Sequence, residues 1–167
     1  IEEGIDIAVR ITTRLDPGDV VRRLGSGRMK VVASSGYLAR HGEPRHPEEL
    51  IHHQCLGYTE AAGGQRWSFI IDGVPQAFPI RPRIRANNGE VLLKAAAAGL
   101  GIACEPEFSA AERLASGELT EILTEFSLPE LGIYAVLPGN RHVPHRLRML
   151  MDFLTEKLEG KSQAPVA

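Results

Sequence analysis

Amides and acids crowd one short stretch of this chain. Asn87-Asn88-Gly89-Glu90 opens an alanine-rich run, and Glu105-Pro106-Glu107 follows its end. A carboxylate such as Glu90 or Glu105 can serve as a general base when a substrate proton lies within hydrogen-bond reach. An asparagine ahead of a helix does something else: its amide oxygen accepts from the unpaired N–H groups of the first turn. Those same N–H groups attract an anion, although Glu90, Glu105 and Glu107 oppose a strongly anionic one. The stretch therefore offers two chemistries. One is acid–base work by Glu90 or Glu105. The other is capture of a carboxylate or other polar group by the Gly89 and Glu90 amides with an Asn87 or Asn88 side chain.

The remaining reactive residue types carry weaker patterns. His41, His46, His52 and His53 cluster in sequence, and His142 lies close to His145, but neither group has zinc-ligand spacing. Solvation at the surface accounts for them, and no metal or cofactor is expected. Cys55 and Cys104 are far apart and flanked by apolar residues, which reads as two buried free thiols. Gly25-Ser26-Gly27 lacks the third glycine and the following helix of a dinucleotide loop, so it reads as a turn. No Gly-x-Ser-x-Gly elbow or nucleophile–base pair is visible. A net charge of −2 gives no basic footprint for nucleic acid. No apolar run approaches a membrane span. With 167 residues, 43% of them hydrophobic, the chain can bury a real core. It opens at Ile1 with no visible signal peptide, and Ile1-Glu2-Glu3-Gly4 reads as the end of a helix, so a piece of a longer protein is expected.

The elements that position these residues follow from local pattern. Asn87 or Asn88 caps a helix; with Asn87 as cap, Glu90 falls where a capping-box acid reaches back. Leu92, Ala95, Ala96 and Leu100 share one face, and Gly99 and Gly101 supply the left-handed stop. Ile102-Ala103-Cys104 suits a buried parallel strand that Pro106 ends. Earlier in the chain, Ile5–Ile11 reads as a strand and Thr12–Val20 as a crossing linker. A second strand spans Arg28–Ala33, after a break at Gly25-Ser26-Gly27. Ser34-Ser35-Gly36 caps a short helix, Tyr37–His41, and Pro47 opens another, ending near Ile51. Cys55–Tyr58 is a strand, and 61–64 is a loose turn. Asp72-Gly73 joins Trp67–Ile71 and Gln76–Ile80 in a hairpin whose second arm, with Pro75 and Pro79, is an edge. Arg83–Ala86 leads into the alanine-rich helix. Glu107–Ala115 is a helix ended by Gly117, and strands cover Leu119–Leu123 and Gly132–Leu137. Leu147, Leu150, Met151, Leu154 and Leu158 form the stripe of a last helix terminated by Gly160. Strands alternating with helices predict an α/β fold with mixed, mostly parallel sheets.

Several of these segments, in this order, resemble LysR-type regulators. Gly4–Arg10 is similar to a strand of the family's first lobe. Tyr37-Leu38-Ala39-Arg40-His41-Gly42 with Pro44 and His46-Pro47-Glu48-Glu49-Leu50 is similar to a second family segment. Asn87-Asn88-Gly89-Glu90, Gly99-Leu100-Gly101-Ile102-Ala103 and Pro106 resemble a third. Leu119, Pro129-Glu130-Leu131 to Leu137, His142 and Arg146–Leu158 resemble the family's closing strand and helix, so the resemblance covers nearly all of 1–160.

The resemblance implies a two-lobed effector-binding domain like the type 2 periplasmic binding proteins, here with an incomplete first lobe. Residues 1–12 and 132–160 would form the first lobe and 20–123 the second, with crossovers at 13–19 and 124–131 and a tail at 161–167. It implies a small-molecule effector, an organic acid, held in an interlobe cleft. It also implies a cytoplasmic homodimer or tetramer that meets DNA through an N-terminal helix-turn-helix absent here. By resemblance, Arg10, Ile11 and Thr12 leave their strand toward that cleft, and the Asn87–Glu90 turn faces it. Ser34 is expected chiefly as a helix cap, Tyr58 ends a strand, and Glu105 and Pro106 follow a strand carboxyl end, where ligands gather in α/β sheets. A periplasmic solute-binding protein of the same architecture is the alternative, and a small α/β enzyme using Glu90 or Glu105 is a third possibility.

Overall fold

The computed structural model describes residues 5–12, 15, 20–59, 65–137 and 143–162. The chain divides into one unit made of both chain ends, 1–27 and 130–167, and a second made of Arg28–Pro129.

Unit 1 is a three-stranded antiparallel sheet with a helix. β1 (Ala8–Thr12) and β2 (Val20–Gly27) flank β10 (Leu131–Leu137). The helix α4 (His145–Ser162) packs on β2. Leu24, Ile133, Ala135, Leu137, Leu147 and Met151 form the core, with Leu154 and Leu158 half-buried beside it. Burying a leucine or methionine fully is worth about 2 kcal/mol over leaving it exposed. Here the alternation of β10 and the stripe of α4 bring such residues face to face. Gly25 lets the helix approach, since a Cβ there would lie 3.3 Å from Leu158 Cβ.

Three local expectations change in this unit. Gly25-Ser26-Gly27 lies inside β2 rather than breaking the chain, because its backbone pairs with Leu131–Ile133. That pairing puts β2 with the chain ends, so the second unit begins at Arg28 rather than at residue 20. Leu150 turns outward at 40% exposure while its neighbour Met151 is buried, and α4 continues past Gly160 to Ser162. The predicted linker positions 13, 14 and 16–19 lie outside the described residues, as do 61–64, Pro138-Gly139-Asn140, His142 and 163–167.

Unit 2 is built on a five-stranded mixed sheet in the order β7 (Arg81–Ala86), β4 (Gln54–Tyr58), β8 (Ile102–Pro106), β3 (Met29–Ala33), β9 (Thr120–Ile122). Parallel pairing is confined to β4 with β7 and β8; β3 runs antiparallel to both of its neighbours. Side chains alternate between the faces of a strand, and each face has its own cover. On one face Val32, Leu56 and Ala103 meet Leu92, Leu93 and Ala96 of α2 (Gly89–Ala97) and Ala110 of α3 (Glu107–Ala115). On the other, Val31, Cys55 and Ile102 meet Tyr37 of α1 (Ser35–His41), Leu50 of a 3-10 turn (Pro47–His52), and Phe69 and Phe78 of a hairpin. That hairpin, β5 (Arg66–Ile71) with β6 (Val74–Pro79), turns at Asp72 and Gly73, whose φ values of 52° and 78° are those of a type I′ turn. Residues 124–129, expected to cross between lobes, stay with this unit: Phe126 and Leu128 pack on its core, and Ile70 N–H donates to Ser127 O.

Candidate functional site

Four strand ends define one edge of the unit 2 sheet. β4 finishes at Tyr58 beside Ala86, the last residue of β7, and Pro106 at the end of β8 pairs with Met29 at the start of β3. Asn87 and Asn88 then carry the chain from β7 into α2. Asn88, extended at φ −135°, is the cap: its Oδ1 accepts from Glu90 N at 2.8 Å and from Val91 N at 3.4 Å. The capping box expected from an Asn87 cap is therefore not formed. Glu90 sits one position too early to reach back, and its carboxylate takes Arg113 Nη2 at 2.6 Å and Nη1 at 3.2 Å. Those hydrogen bonds hold Glu90 below the usual carboxylate range. The Glu90 N–H, one of two amides offered to a ligand by the sequence, already has Asn88 as acceptor.

Behind this edge lies the acid of greatest interest. Glu105 is 1% exposed, and its Oε2 accepts the Tyr58 hydroxyl at 2.9 Å. Its Oε1 has no hydrogen-bond partner among the described residues. Burial pushes this carboxyl up to about 7, and the Tyr58 hydrogen bond pulls in the opposite direction. Tyr58 is itself raised, first by burial and then by the Glu105 charge. Gly89 closes the cluster. A Cβ there would lie 2.5 Å from both Glu105 Oε2 and the Tyr58 hydroxyl, so only glycine leaves the pair undisturbed. Gly99 is the left-handed stop of α2 at φ +75°. Gly101 serves instead as a close approach, since a Cβ there would meet Gln54 O at 2.5 Å.

A pocket of about 250 Å³ opens at the same edge. Its apolar lining comes from Met29, Gly57, Trp67, Ile80, Pro82 and Cys104, and its polar lining from Tyr58, Thr59, Gln65, Arg66 and Arg85. Cys104 and Glu105 are successive on β8 and face opposite ways, so Cys104 meets the pocket while Glu105 lies on the α2 side. Arg85 has no carboxylate within ion-pair distance among the described residues. An apolar hollow beside such a cation suits a small molecule with an apolar body and an anionic or polar end.

The structure thus brings Tyr58, Gly89 and Glu105 into direct contact, with Asn88 and Pro106 along the same edge. Pro106 also precedes α3 as its cap residue. Ser34 is elsewhere. β3 runs opposite to β8, so Ser34 falls at the far edge, where it is buried and accepts from Tyr37 N at 3.3 Å as the cap of α1. Arg10, Ile11 and Thr12 belong to β1 in unit 1, paired with Tyr134, Ile133 and Gly132. The sequence reading missed Met29, Arg66, Trp67 and Arg85. Arg85 could have been found from its place near a strand carboxyl end, just ahead of the Asn88 cap.

The other candidates take structural roles. Among the described residues no group of three or more His, Cys, Asp or Glu converges on a metal position. His41 stacks on Tyr37 at 4.6 Å between centroids, the Tyr37 hydroxyl and His53 Nδ1 are 3.1 Å apart, and His46 lies edge-on to Phe78 and Phe126. Cys55 and Cys104 are free thiols. Burial pushes Cys55 up to about 12 and Cys104 upward too, so neither is an activated nucleophile. No helix among the described residues is long and apolar enough to cross a membrane.

The same order of elements occurs in known proteins. Residues 1–159 match the family model described as the LysR substrate binding domain. The chain is 38% identical over 159 residues to the HTH-type transcriptional regulator CrgA of Neisseria meningitidis, covering 95% of this chain and 53% of that protein. It is 33% identical to the probable HTH-type transcriptional regulator LtrA of Klebsiella pneumoniae, covering 93% of this chain and 52% of that protein. Among solved structures it is similar to the CrgA regulatory domain, with a TM-score of 0.77 and 36% identity over 92% of this chain and 76% of that one. It is also similar to the full-length Vibrio cholerae virulence activator AphB, with a TM-score of 0.73 and 28% identity over 91% of this chain and 51% of that one. The chain spans about half the length of the curated relatives it matches. The α/β class with mixed sheets, in the periplasmic-binding-protein-like form of LysR regulatory domains, is as the sequence led one to expect. Ordered sequence matches, shared topology and near-complete coverage agree, and the chain belongs to the LysR substrate binding domain family.

Proposed function

We propose that this chain is the effector-sensing part of a LysR-type transcriptional regulator and that it binds a small organic acid at the carboxyl edge of the unit 2 sheet. The observation that carries the proposal is the apolar pocket with Arg85 and Tyr58 on its lining, next to the capped end of α2. The two compact units would be the family's two lobes, divided at Gly27–Arg28 and at Pro129–Glu130. Arg10, Ile11 and Thr12 stay candidates on the strength of the family resemblance alone. In the whole protein, a helix-turn-helix would read DNA, the subunits would pair as homodimers or tetramers, and the site of action would be the cytoplasm. A ligand moves such a receptor only as far as it binds one conformation better than another. Stoichiometric binding rather than turnover is the behaviour expected of such a receptor. The named relatives are transcriptional regulators, which favours this reading over a solute-binding protein.

The test is a titration with a panel of small mono- and dicarboxylates and their amides, followed by Trp67 fluorescence and by mass spectrometry of the recovered ligand. At least one acid should bind one-to-one and return chemically intact. Arg85→Ala and Tyr58→Ala should each weaken it by about tenfold or more, as expected for loss of a contact worth about 1.4 kcal/mol. Binding that ignores both variants, or a ligand returned altered, would overturn the proposal.

A further inference from the structure

Gly57 is a glycine that the backbone does not require. It is buried inside β4, where a glycine weakens a strand and marks a bulge, a close backbone approach or a ligand. Neither of the first two applies. The irregularity between β4 and β7 pairs Cys55 with Pro82 and Leu56 with Ile84, so its extra residue is Arg83 on β7. Gly57 is not among the glycines of positive φ. The atoms nearest to a Cβ at Gly57 would be side-chain atoms, Pro82 Cβ and Cγ at 3.5 Å and Ile80 Cδ1 at 3.9 Å, and these are ordinary contacts. Pro82 and Ile80 both line the pocket, so the side chain that Gly57 lacks would stand in it.

Strand alternation gives this hollow a floor, a roof and one charged side. Cys55 packs on the hairpin side of the sheet and Leu56 on the α2 side, so Gly57 faces the hairpin. Its register partner Arg85 faces the same way, because Ile84 packs with Leu56 on the α2 side. Opposite them the hairpin presents Trp67, which packs against the same core as its register partner Phe78. Packed sheets stand about 10 Å apart, a gap that side chains ordinarily fill from both sides. At Gly57 the sheet contributes none. The two arginines of the lining differ. Arg66 Nη2 donates to Ala77 O at 2.7 Å, whereas Arg85 has no carboxylate within ion-pair distance among the described residues.

We propose that Gly57 and Trp67 form a slot for a flat ring, and that the ligand of this pocket is an aromatic monocarboxylate whose carboxylate meets Arg85. The proposal rests on the organic-acid reading given above and narrows it. A planar ring gains from lying against an indole, by an offset or edge-on arrangement that an aliphatic chain cannot make. It also needs a floor without a side chain, which Gly57 supplies. A single uncommitted guanidinium pairs with one carboxylate through its fork of N–H donors, so a second acid group would find no matching cation. The volume of about 250 Å³ suits one ring rather than a fused polycycle, since ligand clefts usually run from about 300 to about 1,000 Å³. Gly57 is therefore the position that sets which acids enter.

Isothermal titration calorimetry at one pH and constant salt tests the slot with benzoate, hexanoate, cyclohexanecarboxylate, phthalate and benzamide. Benzoate should bind tighter than the two aliphatic acids and the diacid by about fivefold or more. Gly57→Val places methyl groups in the slot and should weaken benzoate by about tenfold or more while changing hexanoate much less. Trp67→Leu should remove the preference for benzoate over hexanoate, and Arg85→Ala should weaken benzoate but not benzamide. Equal affinity of the wild-type chain for benzoate and hexanoate overturns the slot, as does undiminished benzoate binding in Gly57→Val. Should Gly57→Val fail to fold, an undiminished preference for benzoate in Trp67→Leu overturns it equally. Acids bound without regard to the ring sink the slot and leave the organic-acid reading standing. Benzamide bound as tightly as benzoate, with both above hexanoate, sinks the acid and leaves the ring slot standing. No binding by any of these compounds overturns both.

Discussion

Alanine at position 89 sets two effects of opposite sign against each other. In the first turn of α2 the substitution improves helix propensity by up to about 1 kcal/mol. The added Cβ, however, would lie 2.5 Å from both Glu105 Oε2 and the Tyr58 hydroxyl, and 3.3 Å from Glu105 Cδ. Comfortable contact needs about 3.5 Å, so both oxygens must retreat by about 1 Å. Free side-chain ends do that at little cost. These two are bound to each other, and one is 1% exposed. Overpacking of this kind costs about 1–3 kcal/mol. Breaking the Tyr58–Glu105 bond leaves a buried acceptor without a partner, at a further cost of about 1–3 kcal/mol. The steric effect wins, and Gly89→Ala should destabilise unit 2 by about 2 kcal/mol. Gly36 in α1 supplies the control. A Cβ there meets only Arg40 Nη1 at 3.6 Å, an ordinary contact, so Gly36→Ala should stabilise by up to about 1 kcal/mol. Urea unfolding followed by Trp67 fluorescence at one fixed pH reads both. The midpoint should fall by about 1 M for Gly89→Ala and rise for Gly36→Ala. A rise of similar size in both would refute the close packing of Gly89 on the buried pair.

Three further outcomes follow from the geometry. Glu105 sits at about 7 in the fold against an ordinary 4.5, so its contribution to stability is fully present below the lower value and is lost as pH rises through the higher. The gap corresponds to about 3 kcal/mol, and wild-type stability measured against Glu105→Gln should decline by about that much from about pH 4.5 to about pH 8; parallel curves would count against it. Asn88→Ala removes the acceptor for Glu90 N and Val91 N and should cost about 1 kcal/mol in the same urea assay, whereas Asn87→Ala should cost less. Leu24→Ala hollows the fully buried centre of unit 1 and should cost about 2–5 kcal/mol, read from far-ultraviolet circular dichroism because Trp67 lies in unit 2.

Local chemistry made much of unit 2 readable in advance. The Asp72-Gly73 hairpin, the helix Glu107–Ala115 and the step from α2 into Ile102–Pro106 all follow from turn, cap and strand residues acting over a few positions. What escaped depends on distant partners. Gly25-Ser26-Gly27 carries turn residues, yet β10 supplies hydrogen bonds that keep it extended, and α4 needs the missing side chain at Gly25. Glu105 was visible as a polar residue at a strand end. Its burial comes from Tyr58 and Gly89, each far away in sequence, and no local pattern announces that. Trp67 packs against the core as a hairpin tryptophan commonly does, and only the fold shows that it also lines the pocket.

The middle strand of unit 1 arrives late. β10 stands between β1 and β2 and pairs with both, so among the described residues these three strands join only once Leu131–Leu137 has left the ribosome. Arg28–Pro129, by contrast, is one uninterrupted run that holds all five strands of its own sheet. During synthesis the second unit can therefore mature before these three strands are joined, and a nascent chain stalled just past Pro129 should already resist protease across Arg28–Pro129.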